Sequence, residues 1–280
     1  PAQNMRRAIV LPSIWASFLP LAALGPPGKA LLDRFDSVLY MPSTAGLWSR
    51  QDTHRPRTGS LVVIPKKTFS GIKTDLDEVA FASPLPGERY LCGDAATLAA
   101  VADGLRAVDV LAVYSHGQHE GDTGPYLELR DGKLDTTLGS QQHWEGLERV
   151  ELWGCQSGVN MPHDPLTPNV DEGFGFDYTL LSFGVRTALG TLWKVSEIVT
   201  AYIVRCYRAQ LAQGSDAASA LAHAQRRWRD HGIAQLDSYL RESVDPAAGI
   251  RDFLLAQGIA ADQVTLGNTL GAGKRLTAAE

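Results

Sequence analysis

Cysteine is scarce in this sequence: Cys92, Cys155 and Cys206 are the whole set, with no CxxC pair among them. That excludes a disulfide scaffold and a Cys-rich zinc module, and it fits a reducing, cytoplasmic compartment. A long uninterrupted apolar run is also missing. The most apolar early stretch, 8–24, is broken by Pro12 and Pro20 and lacks the layout of an export signal, so neither a membrane span nor a membrane partner is expected. Nor does one sign of charge dominate. With 26 Lys and Arg against 31 Asp and Glu, the net charge is −5, which argues against a surface built for phosphate backbones and against direct nucleic-acid binding. Internal repeats and low-complexity tracts are absent. The chain opens on Pro1 rather than methionine and is read as a processed product or a piece of something longer.

What is present is a core-forming sequence of 280 residues, 44% hydrophobic, enough for one large domain. Short runs rich in Val, Ile and Leu alternate with longer Ala/Leu-rich amphipathic segments, the pattern of an α/β fold with a mostly parallel sheet flanked by helices. The expected strands are 8–11, 37–40, 61–64, 108–114, 149–153 and 187–193, six in all. Segment 94–107 reads as a helix capped by Asp94, and 196–213 and 215–230 as a helical hairpin closed by Gly232. Residues 233–280 are read as a helical extension, with a helix at 245–257, and a Gly-rich tail. Segments 41–59, 118–146 and 156–173 read as long loops, where sites tend to lie.

Two apolar strands end in residues that carry chemistry: DVLAVYSHG in His116-Gly117, and RVELWGCQSG in Gly154-Cys155. In an open parallel sheet the ligand crevice lies beyond the carboxyl ends of the strands, so these two ends bring an imidazole and a thiol to one cleft. The imidazole takes the thiol proton and the thiolate attacks a carbonyl. Gly117 has no side chain, so its N–H can approach a substrate carbonyl and, with the N–H of Cys155, form an oxyanion hole. A zinc reading of His116, His119, His143, His163 and Cys155 is weaker, because a glycine inside HGQH at a strand end does not enforce ligand geometry as two histidines on one helical face do. No cofactor is expected. Cys92 and Cys206 read as structural, and the basic run 225–231 as the solvated end of a helix.

The order strand-His-Gly, strand-x-Cys-x-Ser-Gly, an acidic-Gly patch and aliphatic-GTLW-x-V resembles the CHAT-type peptidases, a caspase-like family related to separase and metacaspases. FLPLAAL at 18–24, FDSVLYMPSTAGL at 35–47, LCGDAATLAAVADGL at 91–105, DEGFGFDY at 171–178, GVRTALGTLWKV at 184–195 and AASALAHAQRRW at 217–228 fall where that family has similar text. The resemblance covers about residues 8–232. It departs from the family at Trp153, which is bulky just before the cysteine, and at Tyr114-Ser115 before the histidine. It implies a caspase-like three-layer sandwich and a cysteine endopeptidase with His116 as base and Cys155 as nucleophile. The substrate peptide would lie as a strand along Thr191, Leu192, Trp193 and Lys194. An acid at the base of the first specificity pocket, Glu172 or Asp177, would select Arg or Lys, although both acids equally suit the start of a helix near Phe174. Family members sit beside sensor or repeat domains and some act in bacterial defence or cell death, which implies a regulatory partner and limited proteolysis of protein substrates. The alternatives are a peptide-binding pseudo-protease and a hydrolase of small amides or esters.

Overall fold

A computed structural model of the chain describes residues 7–11, 21–26, 28–41, 59–65, 85–120, 124–135, 144–158, 161–162, 173–174, 176–195 and 197–243. In chain order the elements are β1 (Arg7–Val10), α1 (Leu31–Arg34), β2 (Ser37–Tyr40), β3 (Ser60–Ile64), β4 (Glu88–Cys92) and α2 (Leu98–Leu105). There follow β5 (Val110–Tyr114), β6 (Gly117–Glu120), β7 (Gly124–Glu128), β8 (Lys133–Asp135), β9 (Arg149–Trp153), β10 (Met161–Pro162) and β11 (Gly173–Phe174). The last are α3 (Phe176–Ser182), β12 (Thr187–Leu189), α4 (Glu197–Ala212) and α5 (Ala217–Ser243).

Among the described residues five strands form the main sheet in the order β12-β9-β5-β3-β4, every pair parallel. The six expected strands therefore divide between two sheets, since β1 and β2 pair with each other in a separate parallel ribbon. The fifth place in the main sheet goes to Glu88–Cys92, an edge strand whose sequence ERYLC is too polar to read as a buried strand. Segment 118–146 is more than a loop: β6, β7 and β8 form an antiparallel sheet of their own. The helix expected over 94–107 begins at Leu98, capped by Thr97, whose side chain accepts the N–H of Ala100 at 3.2 Å. Asp94 instead sits in a short 3-10 turn and pairs with Arg130 at 2.5 Å. The hairpin of α4 and α5 is as expected, but α5 passes through Gly232 and continues to Ser243. The expected helix at 245–257 lies outside the described residues.

Period-two alternation sorts the strand residues onto two faces. Leu61, Val63, Leu111, Val113, Val150 and Leu152 pack on one face with Val101 and Leu105 of α2 and Phe176 and Leu180 of α3. Val62, Ile64, Ala112, Tyr114 and Trp153 pack on the other with Ala201, Val204 and Tyr207 of α4 and Ala220 and Ala224 of α5. Each fully buried Leu or Val contributes about 1.5–3 kcal/mol relative to exposure.

A polar seam crosses that second face. Arg208 of α4 grips Glu88 with two hydrogen bonds of 2.8 and 2.6 Å, both side chains nearly fully buried. Burial pushes the Glu88 carboxyl up, but the bonds from Arg208 and Tyr90 outweigh it and hold the group below its ordinary range. On β9, Glu151 accepts from the Tyr207 hydroxyl at 2.6 Å, Arg149 Nε at 2.6 Å and Trp153 Nε1 at 3.1 Å. These bonds, with the Trp153–Tyr207 ring contact at 5.4 Å, fix α4 against β9.

Candidate active site

β5 and β9 run parallel in a register that sets Tyr114 opposite Trp153. His116 and Cys155 each lie two residues past that pair, at the carboxyl ends, so the sheet delivers both to one level. Chain order reverses between β3 and β5, one strand over. Glycine makes the approach of the two chain ends possible. A Cβ on Gly117 would stand 2.0 Å from the carbonyl oxygen of Cys155 and 2.7 Å from its nitrogen. One on Gly154 would meet the Ser115 carbonyl oxygen at 2.7 Å and a methyl of Leu127 at 2.3 Å. Such contacts are closer than any real Cβ makes, so HG and GC are needed here as a matched pair. Ser115 also donates to the Glu128 carbonyl at 2.5 Å, tying the end of β5 to β7.

Past Cys155 the chain turns sharply. Gln156 adopts φ 58°, the left-handed conformation that side chains usually avoid. The turn is braced by segment 190–195. Gln156 N–H donates to the Trp193 carbonyl at 3.0 Å and Gly158 N–H to the Thr191 carbonyl at 2.9 Å. Ser157, fully buried, donates to the Leu152 carbonyl at 2.7 Å and accepts from Thr191 N–H at 3.1 Å. The Thr191 hydroxyl donates to the Gly154 carbonyl. Cys155 itself is half-buried. Its sulfur accepts Val195 N–H at 3.4 Å and lies 3.7 Å from the Val195 carbonyl oxygen, to which the thiol donates.

The four residues expected along the substrate edge divide in two. Thr191 and Trp193 turn their carbonyls inward to the brace, whereas among the described residues no hydrogen bond engages the backbone of Leu192 or Lys194. The Trp193 residue is 42% exposed. Asp177 stands in the first turn of α3, where burial pushes its carboxyl up to about 7 against hydrogen bonds from the N–H groups of Tyr178 and Asp177 itself. Burial and the Asp177 charge raise the neighbouring Tyr178 to about 12. Glu172 lies outside the described residues, as do His143 and His163. The backbone of His119 runs in β6 opposite Pro125. Among the described residues no group of three His, Cys, Asp or Glu gathers as a metal site, and no helix is long and apolar enough to cross a membrane. Cys92 is exposed at the end of β4, and Cys206 packs beside Tyr202 at the margin of the core.

Sequence reading took Val195 into the expected substrate edge over 190–195 and Ser157 into the motif after the cysteine, but it did not anticipate the contact of the Val195 backbone with the Cys155 sulfur or the bracing hydroxyls of Ser157 and Thr191. The one available signal was a hydroxyl residue two places after the cysteine, directly before a glycine.

No curated protein matches the chain significantly. The model of the CHAT domain, a caspase-like, protease-related family, matches residues 1–244. That span takes in both strand ends and the bracing segment, and on it the chain belongs to the CHAT domain family.

Proposed function

We propose that the chain is a cysteine endopeptidase with Cys155 as nucleophile and His116 as general base. The observation that carries this is the aligned pair of strand ends, packed so closely that only glycine fits at 117 and 154. His116 takes the thiol proton, the sulfur bonds to the scissile carbonyl carbon, and the C=O electron pair moves onto oxygen. The C–N bond then breaks, the amine leaves with the proton from His116, and a thioester remains. Water, giving a proton to His116, adds to the thioester, and its collapse releases the acid and restores the thiol.

The oxyanion would rest against the N–H groups of Gly117 and Cys155. Support comes from the β6–β7 ladder: Glu128 N–H donates to the His116 carbonyl at 2.9 Å, so the next pair, Gly117 opposite Leu127, turns its N–H away from β7. Each such donor contributes roughly 2.7–4 kcal/mol to the transition state. An extended peptide would pair with the open backbone of Leu192 and Lys194, with Trp193 walling a pocket. Asp177, or Glu172, would accept a basic first residue, the substrate cation drawing the Asp177 proton off. The reading extends to a caspase-like three-layer sandwich, a cytoplasmic setting, activation by a sensor domain or partner, and limited proteolysis of protein substrates in bacterial defence or cell death.

The test is intact-mass spectrometry after exposure to peptide chloromethylketones bearing a basic, acidic or apolar first residue. A single adduct at Cys155, lost in Cys155→Ala and strongly slowed in His116→Ala, is expected. Equal labelling of Cys92 and Cys155 with no dependence on His116 overturns the reading.

One observation favours a second reading, a peptide-binding pseudo-protease: the Cys155 thiol hydrogen-bonds to the Val195 backbone, a rest position that needs no imidazole. Tight binding of a peptide without turnover or labelling would select it.

A further inference from the structure

The peptide unit joining Gly154 to Cys155 carries the Gly154 carbonyl and the Cys155 N–H, and because the unit is planar and trans the two point in opposite directions. Holding one aims the other. Gly154 has no side chain to restrict this unit, and the one local backbone bond to its carbonyl, from Ser157 N–H, is long at 3.4 Å, so the local backbone holds its rotation weakly. The Thr191 hydroxyl supplies the restraint by donating to the Gly154 carbonyl, with the Trp193 carbonyl as a more distant acceptor at 3.3 Å. Thr191 is itself fixed on two further sides. Its N–H is held by buried Ser157 at 3.1 Å, and its carbonyl by Gly158 N–H at 2.9 Å.

We infer that Thr191 is a positioning residue whose hydroxyl, by gripping the Gly154 carbonyl, keeps the Cys155 N–H aimed at the oxyanion formed during acylation. The inference rests on the peptidase reading above. It gives Thr191 a role distinct from a backbone contact to substrate, and it explains why a hydroxyl residue follows Gly190 at the point where Gly190 and Gly158 touch. A Cβ on Gly190 would stand 2.7 Å from the Cα of Gly158, so the two segments meet backbone to backbone and the Thr191 side chain reaches the nucleophile's own peptide unit.

The experiment compares two reagents on wild type, Thr191→Val and Thr191→Ser. Peptide aldehydes with Arg, Asp or Leu as first residue add the Cys155 thiol to their carbonyl and place the resulting oxygen in the hole. Iodoacetamide alkylates the same sulfur and generates no oxyanion. Removing an oxyanion donor outright costs about a hundredfold to a thousandfold, and misaiming one costs less. Thr191→Val is therefore expected to weaken aldehyde inhibition about tenfold to a hundredfold, with Cys155 alkylation within about twofold of wild type, and Thr191→Ser is expected to restore inhibition. Thr191→Ala carries the same test where the valine variant does not fold by thermal melting. Equal inhibition of wild type and Thr191→Val overturns the assignment while leaving the peptidase reading intact. A parallel loss of alkylation and inhibition makes Thr191 merely structural and also overturns it. Wild type that binds none of the aldehydes overturns the peptidase reading and this inference with it.

Discussion

Replacing Gly117 by alanine sets a methyl group against the backbone of Cys155. The added carbon would lie 2.0 Å from the Cys155 carbonyl oxygen, 2.9 Å from its carbonyl carbon and 2.7 Å from its nitrogen, where ordinary contact is 3.4–4 Å. No side chain can swing aside, because all three atoms are main chain on a strand end braced by the Thr191 and Trp193 bonds. The ends of β5 and β9 must part by an ångström or more. Overpacking of this kind costs about 1–3 kcal/mol, and for a domain of this size each 1 kcal/mol lowers the melting temperature by about 2–4 °C. A displacement of 1 Å at a reacting pair lowers rate by about a hundredfold. Gly117→Ala is therefore expected to melt a few degrees below wild type and to label at Cys155 about a hundredfold more slowly. Gly132→Ala is the control, since its Cβ would meet only the Leu98 side chain, at 2.5 Å from a methyl. Wild-type labelling and melting in Gly117→Ala would refute the argument that the two strand ends touch.

Glu88→Gln leaves the buried guanidinium of Arg208 without its counter-charge and is expected to cost about 3–5 kcal/mol in urea unfolding, while a loss under about 1 kcal/mol would show that the pair is not buried as described. Because Glu88 is held below its ordinary range, its contribution is full above the unfolded carboxylate value and is lost as pH falls through the folded one. Asp177 has the opposite sign. Its folded value of about 7 lies above the ordinary aspartate value of 3.8, so the folded state is weakened as pH rises from about 4 to 7. Asp177→Asn is expected to gain stability over wild type progressively through that window and no further above it, read as the melting-temperature difference across pH; a pH-independent difference would contradict the assignment.

Much of the fold was legible because buried parallel strands advertise themselves as short runs of Val, Ile and Leu bounded by turns. β3, β5, β9 and β12 all did so, and the His-Gly and Gly-Cys ends could be seen as chain ends of such runs. The edge strand β4 was not legible, because Glu88 and Tyr90 are held by Arg208, which lies far along the chain, and Arg89 by the Gly104 carbonyl. The cap at Thr97 was missed because Asp94 is an equally good cap by residue type, and its engagement with Arg130 is decided only by how β7 and α2 approach. α5 overran Gly232 because a single glycine weakens a helix by about 1 kcal/mol without ending it.

The sequence by itself determined the α/β class, the two chemical groups His116 and Cys155, and the order of motifs that marks a CHAT domain, since all of these follow from residue type and local spacing. Tertiary structure alone decided that Gly117 and Gly154 are where two backbones touch, that the Cys155 sulfur rests against Val195, and that Thr191 holds the peptide unit before Cys155. Such contacts join residues separated by tens of positions, and their energy depends on distances of a few tenths of an ångström, which a linear pattern does not carry.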